Sequence, residues 1–154
     1  MAFQLPLRLV RQEHSHGCLV ATIAMIAGTT YAEARAAFPD LRPDECLGAF
    51  EAEQWLRRRG FVVETRHWYF DHMGEDRKPD PWPPLPFTEV HLCSVMARCG
   101  EKICGHSVVM LADGSVLDPN EDEPRRLSYY AAVNSVGAVR PCDECGNLSG
   151  AAIE

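Results

Sequence analysis

The chain has 154 residues, of which 46% are apolar, and it carries 22 acidic residues against 15 lysines and arginines, for a formal net charge of -7. This length and apolar fraction predict a single compact domain spanning residues 1–154. The acidic balance, without a long basic stripe, excludes broad nucleic-acid binding. No apolar run reaches the roughly 20 residues that a membrane-spanning helix needs, so we expect no membrane partner.

The cysteines indicate a reducing compartment. There are 7 of them, an odd number, and most lie at apolar or strand-like positions, which is unlike a secreted disulfide framework. Cys46 and Cys93 are predicted to be packing residues. The N-terminus lacks a basic leader followed by a continuous apolar stretch, so we expect no signal peptide and a cytoplasmic location.

The first half of the chain predicts helices. The run Cys18–Ala27 is apolar on nearly all sides and Gly28 follows at the position of a C-terminal cap, which predicts a central, buried helix. Thr30 and Glu33 form a capping-box pattern, which predicts a second helix over residues 31–38.

A third, amphipathic helix is predicted over residues 47–59, followed by a short strand over residues 61–65. The apolar positions of this helix are Leu47, Phe50, Trp55 and Leu56. Residues 79–86 then contain five prolines in eight positions. Because proline fixes φ and removes an amide donor, this segment is predicted to be an extended surface connection between the two halves.

The second half predicts strands. Residues 88–96 and 106–111 are β-rich, and a turn at Asp113-Gly114 leads back into Val116-Leu117. A short helix over residues 127–132 and a last strand over residues 135–140 complete the pattern. The order of helices followed by strands predicts an α+β fold, with the helices packed on an antiparallel sheet.

Cys18 is the first candidate for chemistry, because it begins the buried helix. The unpaired amides and the positive end of a helix lower the pKa of a thiol there, which favours the nucleophilic thiolate. A buried free cysteine is more often a packing residue, so the position alone does not decide its role.

Three further residues could complete a site around Cys18. His106 opens a β-rich run and could act as a general base. Asp118 ends the strand that returns from the Asp113-Gly114 turn, where a carboxylate could orient the imidazole, with Asn120 or Asp122 as alternatives. Gln12 lies six residues before Cys18, and its amide could join the Cys18 N–H in an oxyanion hole.

The register of the predicted hairpin sets how far Asp118 lies from His106. A tight turn at Asp113-Gly114 would pair Asp118 with Val109, three residues along the strand from His106. Strand twist or a β-bulge would have to close that gap.

The order of these residues resembles that of papain-like cysteine peptidases, nearest the bacteriocin-processing (double-glycine leader) peptidase family. The residues on which the resemblance rests are Gln12, Cys18 at a helix start, Gly105-His106 heading a strand and Leu117-Asp118-Pro119 ending the next. The resemblance implies a papain-like fold in which the nucleophile begins a central helix. It also implies that Cys18 is the nucleophile, His106 the base, Asp118 the orienting carboxylate and Gln12 an oxyanion donor.

The same resemblance implies a reaction and a partner. A papain-like site hydrolyses a peptide or isopeptide bond through an acyl-thioester, needs no cofactor or metal ion, and takes a protein or peptide as substrate. Acyl transfer to an amine and deamidation use the same triad and stay open, because only the acceptor differs.

The alternative is a non-catalytic protein-binding module, either papain-like or stabilised by zinc. Cys142 and Cys145 form a CxxC motif that could bind zinc together with Cys99 and Cys104, although a lone CxxC is a weak signal. The proline-rich segment with Trp82 could serve as an exposed docking segment. We favour the peptidase, because four residues with compatible roles occur in compatible elements.

Overall fold

The computed structural model describes residues 7–71 and 90–142. The predicted proline-rich connection over residues 79–86 and Cys145 lie outside these ranges. Helices come first and strands follow, as predicted: α1 Cys18–Ala27, α2 Tyr31–Ala36, α3 Ala49–Arg58, β1 Phe61–Asp71, β2 Val90–Cys99, β3 Lys102–Met110, β4 Val116–Leu117, a 3₁₀ turn Leu127–Tyr129 and β5 Ala132–Pro141.

The strands form one five-stranded sheet in the order β1-β5-β2-β3-β4, and every neighbouring pair is antiparallel. The helix α1 packs against β3 and against both other helices, while α3 packs against β1. The predicted α+β class is therefore confirmed. Only the insertion of β5 between β1 and β2 departs from a simple meander.

The helix α1 has the character that its sequence predicts. Every residue from Val20 to Ile26 is buried, and Gly28 ends the helix in the left-handed region at φ 69°. At the start of α2, the Thr30 side chain accepts a hydrogen bond from the Glu33 backbone N–H, which is half of the predicted capping box.

The apolar face predicted for α3 is wrong at Phe50, whose side chain is 70% exposed. The helix begins at Ala49 and buries Ala52, Trp55 and Leu56. At about 100° per residue, Phe50 lies roughly 200° around the helix from Ala52, on the side away from the core.

The strand β3 is longer than predicted. It begins at Lys102, so His106 lies within the strand and not at its head. The cause is a tight hairpin at residues 100–101, in which Gly100 has φ 66° and Cys99 pairs with Lys102. The other elements of this half also differ in length: β1 and β5 extend beyond their predicted bounds, and the predicted short helix is a single 3₁₀ turn.

Two apolar clusters cover the sheet. The larger one joins the three helices to residues such as Val109 and Val139, and the smaller one contains Val108 and Val136. Because side chains alternate along a strand, Val108 and Val109 point to opposite faces of the sheet. Cys93 is buried in the smaller cluster, as predicted, whereas the prediction that Cys46 is a packing residue is wrong because it is exposed.

Across the described ranges, none of the helices has both the length and the apolar character needed to span a bilayer.

Candidate active site

The end of β4 positions the candidate site. The strand β4 pairs only with Val109 and Met110 of β3. Within the described part of the chain, the stretch of β3 that carries His106 therefore has no strand beside it on that side of the sheet. The N-terminus of α1 and the loop after β4 meet this stretch.

Cys18 is the first residue of α1, preceded by Gly17, and no side chain caps the helix. The backbone amides of the first helical turn have no partner within the helix, so they present positive charge near the thiol. A Cβ atom at Gly17 would clash with the Tyr31 hydroxyl. That hydroxyl is 2.8 Å from His14 Nδ1, so glycine lets the loop before Cys18 pack closely against Tyr31.

The thiol of Cys18 lies close enough to His106 and Ser107 for both residues to lower its pKa. Burial alone would raise the pKa of Cys18, but the hydrogen bond with His106, the backbone hydrogen bond with Ser107 and the positive charge of the imidazolium together lower it below the ordinary thiol value. The contacts around the sulfur thus favour the thiolate. The role of Ser107 could not be predicted from the sequence, because a backbone N–H is available at almost any residue.

His106 is held on its other side by Asp118. The distance from His106 Nε2 to Asp118 Oδ1 is 2.6 Å, and both side chains are buried. Burial alone would lower the pKa of His106, but the hydrogen bonds and charges of Asp118 and Cys18 raise it to about 9. Since Nε2 is hydrogen-bonded to Asp118, Nδ1 is the ring nitrogen that is available to Cys18.

Asp118 accepts three hydrogen bonds. Besides His106, the Asn120 backbone N–H donates to Oδ1 at 2.8 Å, and the Tyr130 hydroxyl donates to Oδ2 at 2.5 Å. Burial alone would raise the pKa of Asp118, but these hydrogen bonds lower it. The carboxylate therefore stays ionised at neutral pH, where it can stabilise a protonated imidazole.

The structure decides among the candidate orienting residues. Asp118 contacts His106, Asn120 contributes only its backbone N–H, and Asp122 instead forms an ion pair with Arg11 at the surface. Tyr130 was missed by sequence reasoning. A tyrosine after a short turn carries no pattern that distinguishes a buried hydroxyl donor from an exposed ring such as that of Tyr129.

The predicted pairing of Asp118 with Val109 is wrong by one residue. Val109 pairs with Leu117, so continuing the register places Asp118 beside Val108. The turn is wider than predicted because the Leu111 N–H donates to the Ser115 carbonyl. A shift of one residue moves a side chain to the other face of a sheet, so this register puts Asp118 on the same face as His106.

Gln12 lies in the loop that leads into α1, as predicted, and its backbone N–H donates to the Pro119 carbonyl at 3.2 Å. Its side-chain amide nitrogen donates to the carbonyls of His14 and Ser15 at 2.9 and 3.2 Å. Both amide hydrogens are therefore engaged within the loop. In this conformation Gln12 shapes the loop before Cys18 and ties it to the segment after Asp118.

The alternative zinc site with four thiolates does not fit the fold. Cys99 lies at the end of β2 near Ala132, whereas Cys142 follows the opposite end of β5. About ten residues of β5 separate these ends, or roughly 30 Å at the usual rise of a strand. Cys142 is also disulfide-bonded, and the described residues contain no group of three or more side chains that could hold a metal ion.

Comparison with known proteins gives no assignment: no protein-family model matches the chain, and no curated protein matches it either.

The hydrogen bond from the Tyr130 hydroxyl to Asp118 should stabilise the folded protein. We expect Tyr130→Phe to lower the free energy of unfolding by about 1.5–3 kcal/mol, because a hydrogen bond to a buried carboxylate is lost. We also expect the pKa of Asp118 to rise, so that acid unfolding of the variant begins at a higher pH. Urea unfolding at several pH values measures both effects.

Tyr129→Phe is the matched control. Tyr129 is exposed and donates to Glu121 at the surface, so its loss should cost less than about 1 kcal/mol. Equal costs for the two variants would contradict the role given to Tyr130.

Proposed function

We propose that the protein is a cysteine peptidase of papain-like type that hydrolyses a peptide or isopeptide bond. The observation that carries the proposal is that His106, hydrogen-bonded to Asp118, lies beside Cys18 at a helix N-terminus and lowers the pKa of its thiol. A nucleophile, a base and a residue that orients the base are the three parts that covalent acyl transfer requires.

The first step would be attack by the Cys18 thiolate on the carbonyl carbon of the substrate. The electron pair of the C=O bond moves to oxygen, and the new oxyanion needs hydrogen-bond donors. The Cys18 N–H begins α1 and is free of intrahelical bonding. Gln12 would supply a second donor once substrate displaces one of its two bonds to the loop carbonyls.

His106 would then transfer a proton to the leaving amine. The C–N bond breaks as the tetrahedral intermediate collapses, which leaves an acyl-thioester on Cys18. In the second half of the reaction, neutral His106 takes a proton from water, and the resulting hydroxide attacks the thioester and releases the acid and the Cys18 thiolate. Acyl transfer or deamidation would follow the same path with a different acceptor or leaving group.

Asp118 would keep His106 in the productive tautomer and stabilise its protonated form. Its carboxylate holds Nε2 while Nδ1 faces the thiol, and the hydrogen bonds from Tyr130 and Asn120 fix the carboxylate in turn. Each of these groups is buried or lies on the backbone, so the orientation costs little when substrate arrives.

The proposed substrate is a protein or a peptide, and the proposed location is the cytoplasm. A protein or peptide substrate is what the resemblance to papain-like peptidases implies, with no cofactor required. Of the six described cysteines, Cys142 is disulfide-bonded and five are free thiols, and this majority of free thiols favours the reducing cytoplasm. The rival role is a non-catalytic binding module that keeps the same scaffold, and such a module would cleave no peptide and form no acyl-thioester.

Cys18→Ala tests the proposal directly. Incubation with a mixed library of peptides, followed by mass spectrometry, should show cleavage products with the wild type and none above background with the variant. A matched control is Cys46→Ala, which removes an exposed thiol and should leave cleavage unchanged. Cleavage that persists undiminished in Cys18→Ala, or a wild type that cleaves no peptide and forms no acyl-thioester, would refute the peptidase assignment.

A further inference from the structure

Two cysteines outside the candidate active site lie at the tip of the β2-β3 hairpin. Cys99 is the last residue of β2 and is exposed, while Cys104 lies in β3 and is half-buried. Both are free thiols, and the Cys104 thiol lies close enough to Cys99 to raise the pKa of its thiol. Neither residue takes part in the candidate active site.

The register explains this contact. Cys99 pairs with Lys102, and Cys104 pairs with Ala97. Residues that face each other across an antiparallel pair share a face, as do residues two apart on one strand. Cys99 and Cys104 are therefore diagonal neighbours on one face of the hairpin, beside a two-residue turn.

We propose that Cys99 and Cys104 form a reversible thiol–disulfide site that reacts with low-molecular-weight disulfides of the glutathione type. The two thiols are neighbours beside the tight turn of the hairpin, and Cys99 is exposed to solvent. This inference does not depend on the proposed peptidase activity.

The reaction is an exchange in two steps. One thiolate of the pair attacks a sulfur of the oxidised disulfide, forming a mixed disulfide and releasing one small-molecule thiolate. The second thiolate of the pair then attacks the protein sulfur of the mixed disulfide and displaces the other small-molecule thiolate. Two protein thiols are oxidised to one disulfide, and the small disulfide is reduced to two thiols, which take up the two protons released by the protein.

The diagonal geometry favours a labile bond. Diagonal neighbours are farther apart than directly opposed residues, so the hairpin must adjust to bring the two Cβ atoms to disulfide distance. A strained and exposed disulfide is more easily reduced than a structural one. The closed form should therefore reopen with a monothiol such as reduced glutathione.

The test uses the full chain carrying Cys18→Ala, so that the candidate nucleophile neither reacts nor confuses the result. The protein is incubated with oxidised glutathione, quenched by alkylation and mapped by mass spectrometry. The pair should lose two hydrogen atoms and carry no lasting glutathione. The exposed Cys46 serves as an internal control, because in this background it should accumulate a stable glutathione adduct.

Two single variants isolate the second step. With Cys104→Ser, Cys99 has no neighbouring thiol and should retain glutathione as Cys46 does, and Cys99→Ser should have the same effect at Cys104. If the intact pair instead retains glutathione as long as the single variants, or stays fully reduced while Cys46 is modified, the proposal is wrong. Peptidase activity does not enter these readouts, so failure here leaves the proposed function untouched, and the reverse also holds.

Discussion

Replacing His106 with alanine should slow the reaction of Cys18 with iodoacetamide at pH 7 by at least about tenfold, because each unit by which a pKa rises reduces the thiolate fraction tenfold. The hydrogen bond and charge of His106 lower the pKa of Cys18 against the effect of burial, together with the hydrogen bonds of Ser107. Without the two contributions of His106, the pKa of the thiol rises. Peptide mapping of the alkylated protein measures the rate at each cysteine separately.

The pH dependence sharpens this prediction. In the wild type, Cys18 should react rapidly near neutral pH and change little until about pH 9, where His106 loses its proton and the ion pair disappears. Cys46 is the comparison within the same molecule. The pKa of its thiol is raised by partial desolvation and by the negative charges of Cys18 and Glu45, so its rate should still be climbing through pH 9.

A rate at Cys18 that follows the rate at Cys46 across the pH range, and that does not respond to His106→Ala, would contradict the thiolate–imidazolium pair. Circular dichroism of the variant verifies that the fold is intact. His106→Ala leaves the buried Asp118 carboxylate without its imidazole partner, so we expect the variant to be less stable than the wild type, and the rates are compared under conditions in which both proteins are folded.

Asp118→Ala should have the largest effect on stability, lowering the free energy of unfolding by about 3–5 kcal/mol at neutral pH. The substitution leaves a buried imidazole and the buried Tyr130 hydroxyl without their shared partner. Burial and the Asp118 carboxylate also raise the pKa of Tyr130, so its hydroxyl stays protonated and needs an acceptor. Urea unfolding of both proteins measures the difference.

The pH dependence of that difference has a definite sign. The pKa of Asp118 is lowered by folding, so its contribution is present above the ordinary carboxyl pKa and is lost as the pH falls through the folded value. The pKa of His106 is raised by folding, so its contribution is present below the ordinary histidine pKa and is lost as the pH rises through about 9. The gap between wild type and Asp118→Ala should therefore narrow at both extremes.

Asp122→Ala is the matched control, because it removes a carboxylate close by in the sequence whose partner is Arg11 at the surface. An exposed ion pair contributes about 0–1 kcal/mol. If Asp118→Ala costs no more than Asp122→Ala, the orienting role of Asp118 is wrong.

Local patterns in the sequence were sufficient to predict most elements of the fold. Glycine at the end of an apolar run and a Thr-x-x-Glu cap both act within a few residues, so α1 and the start of α2 could be located without tertiary information. The exposure of Phe50 could not be predicted from such patterns, because the face that a helix buries depends on what packs against it. The lengths of β1, β3 and β5 likewise depended on their partners in the sheet.

The sequence by itself determined the α+β class and the candidate nucleophile and base, because Cys18 and His106 stand at chain positions whose local chemistry suits these roles, and it left the orienting residue open among Asp118, Asn120 and Asp122. Only the tertiary structure decided that Asp118, and neither Asn120 nor Asp122, reaches His106. The reason is a one-residue difference in the register of β4, which sets the face on which a side chain lies. The parts played by Tyr130 and Ser107, and the engagement of Gln12 with its own loop, are contacts across the chain that no local pattern encodes.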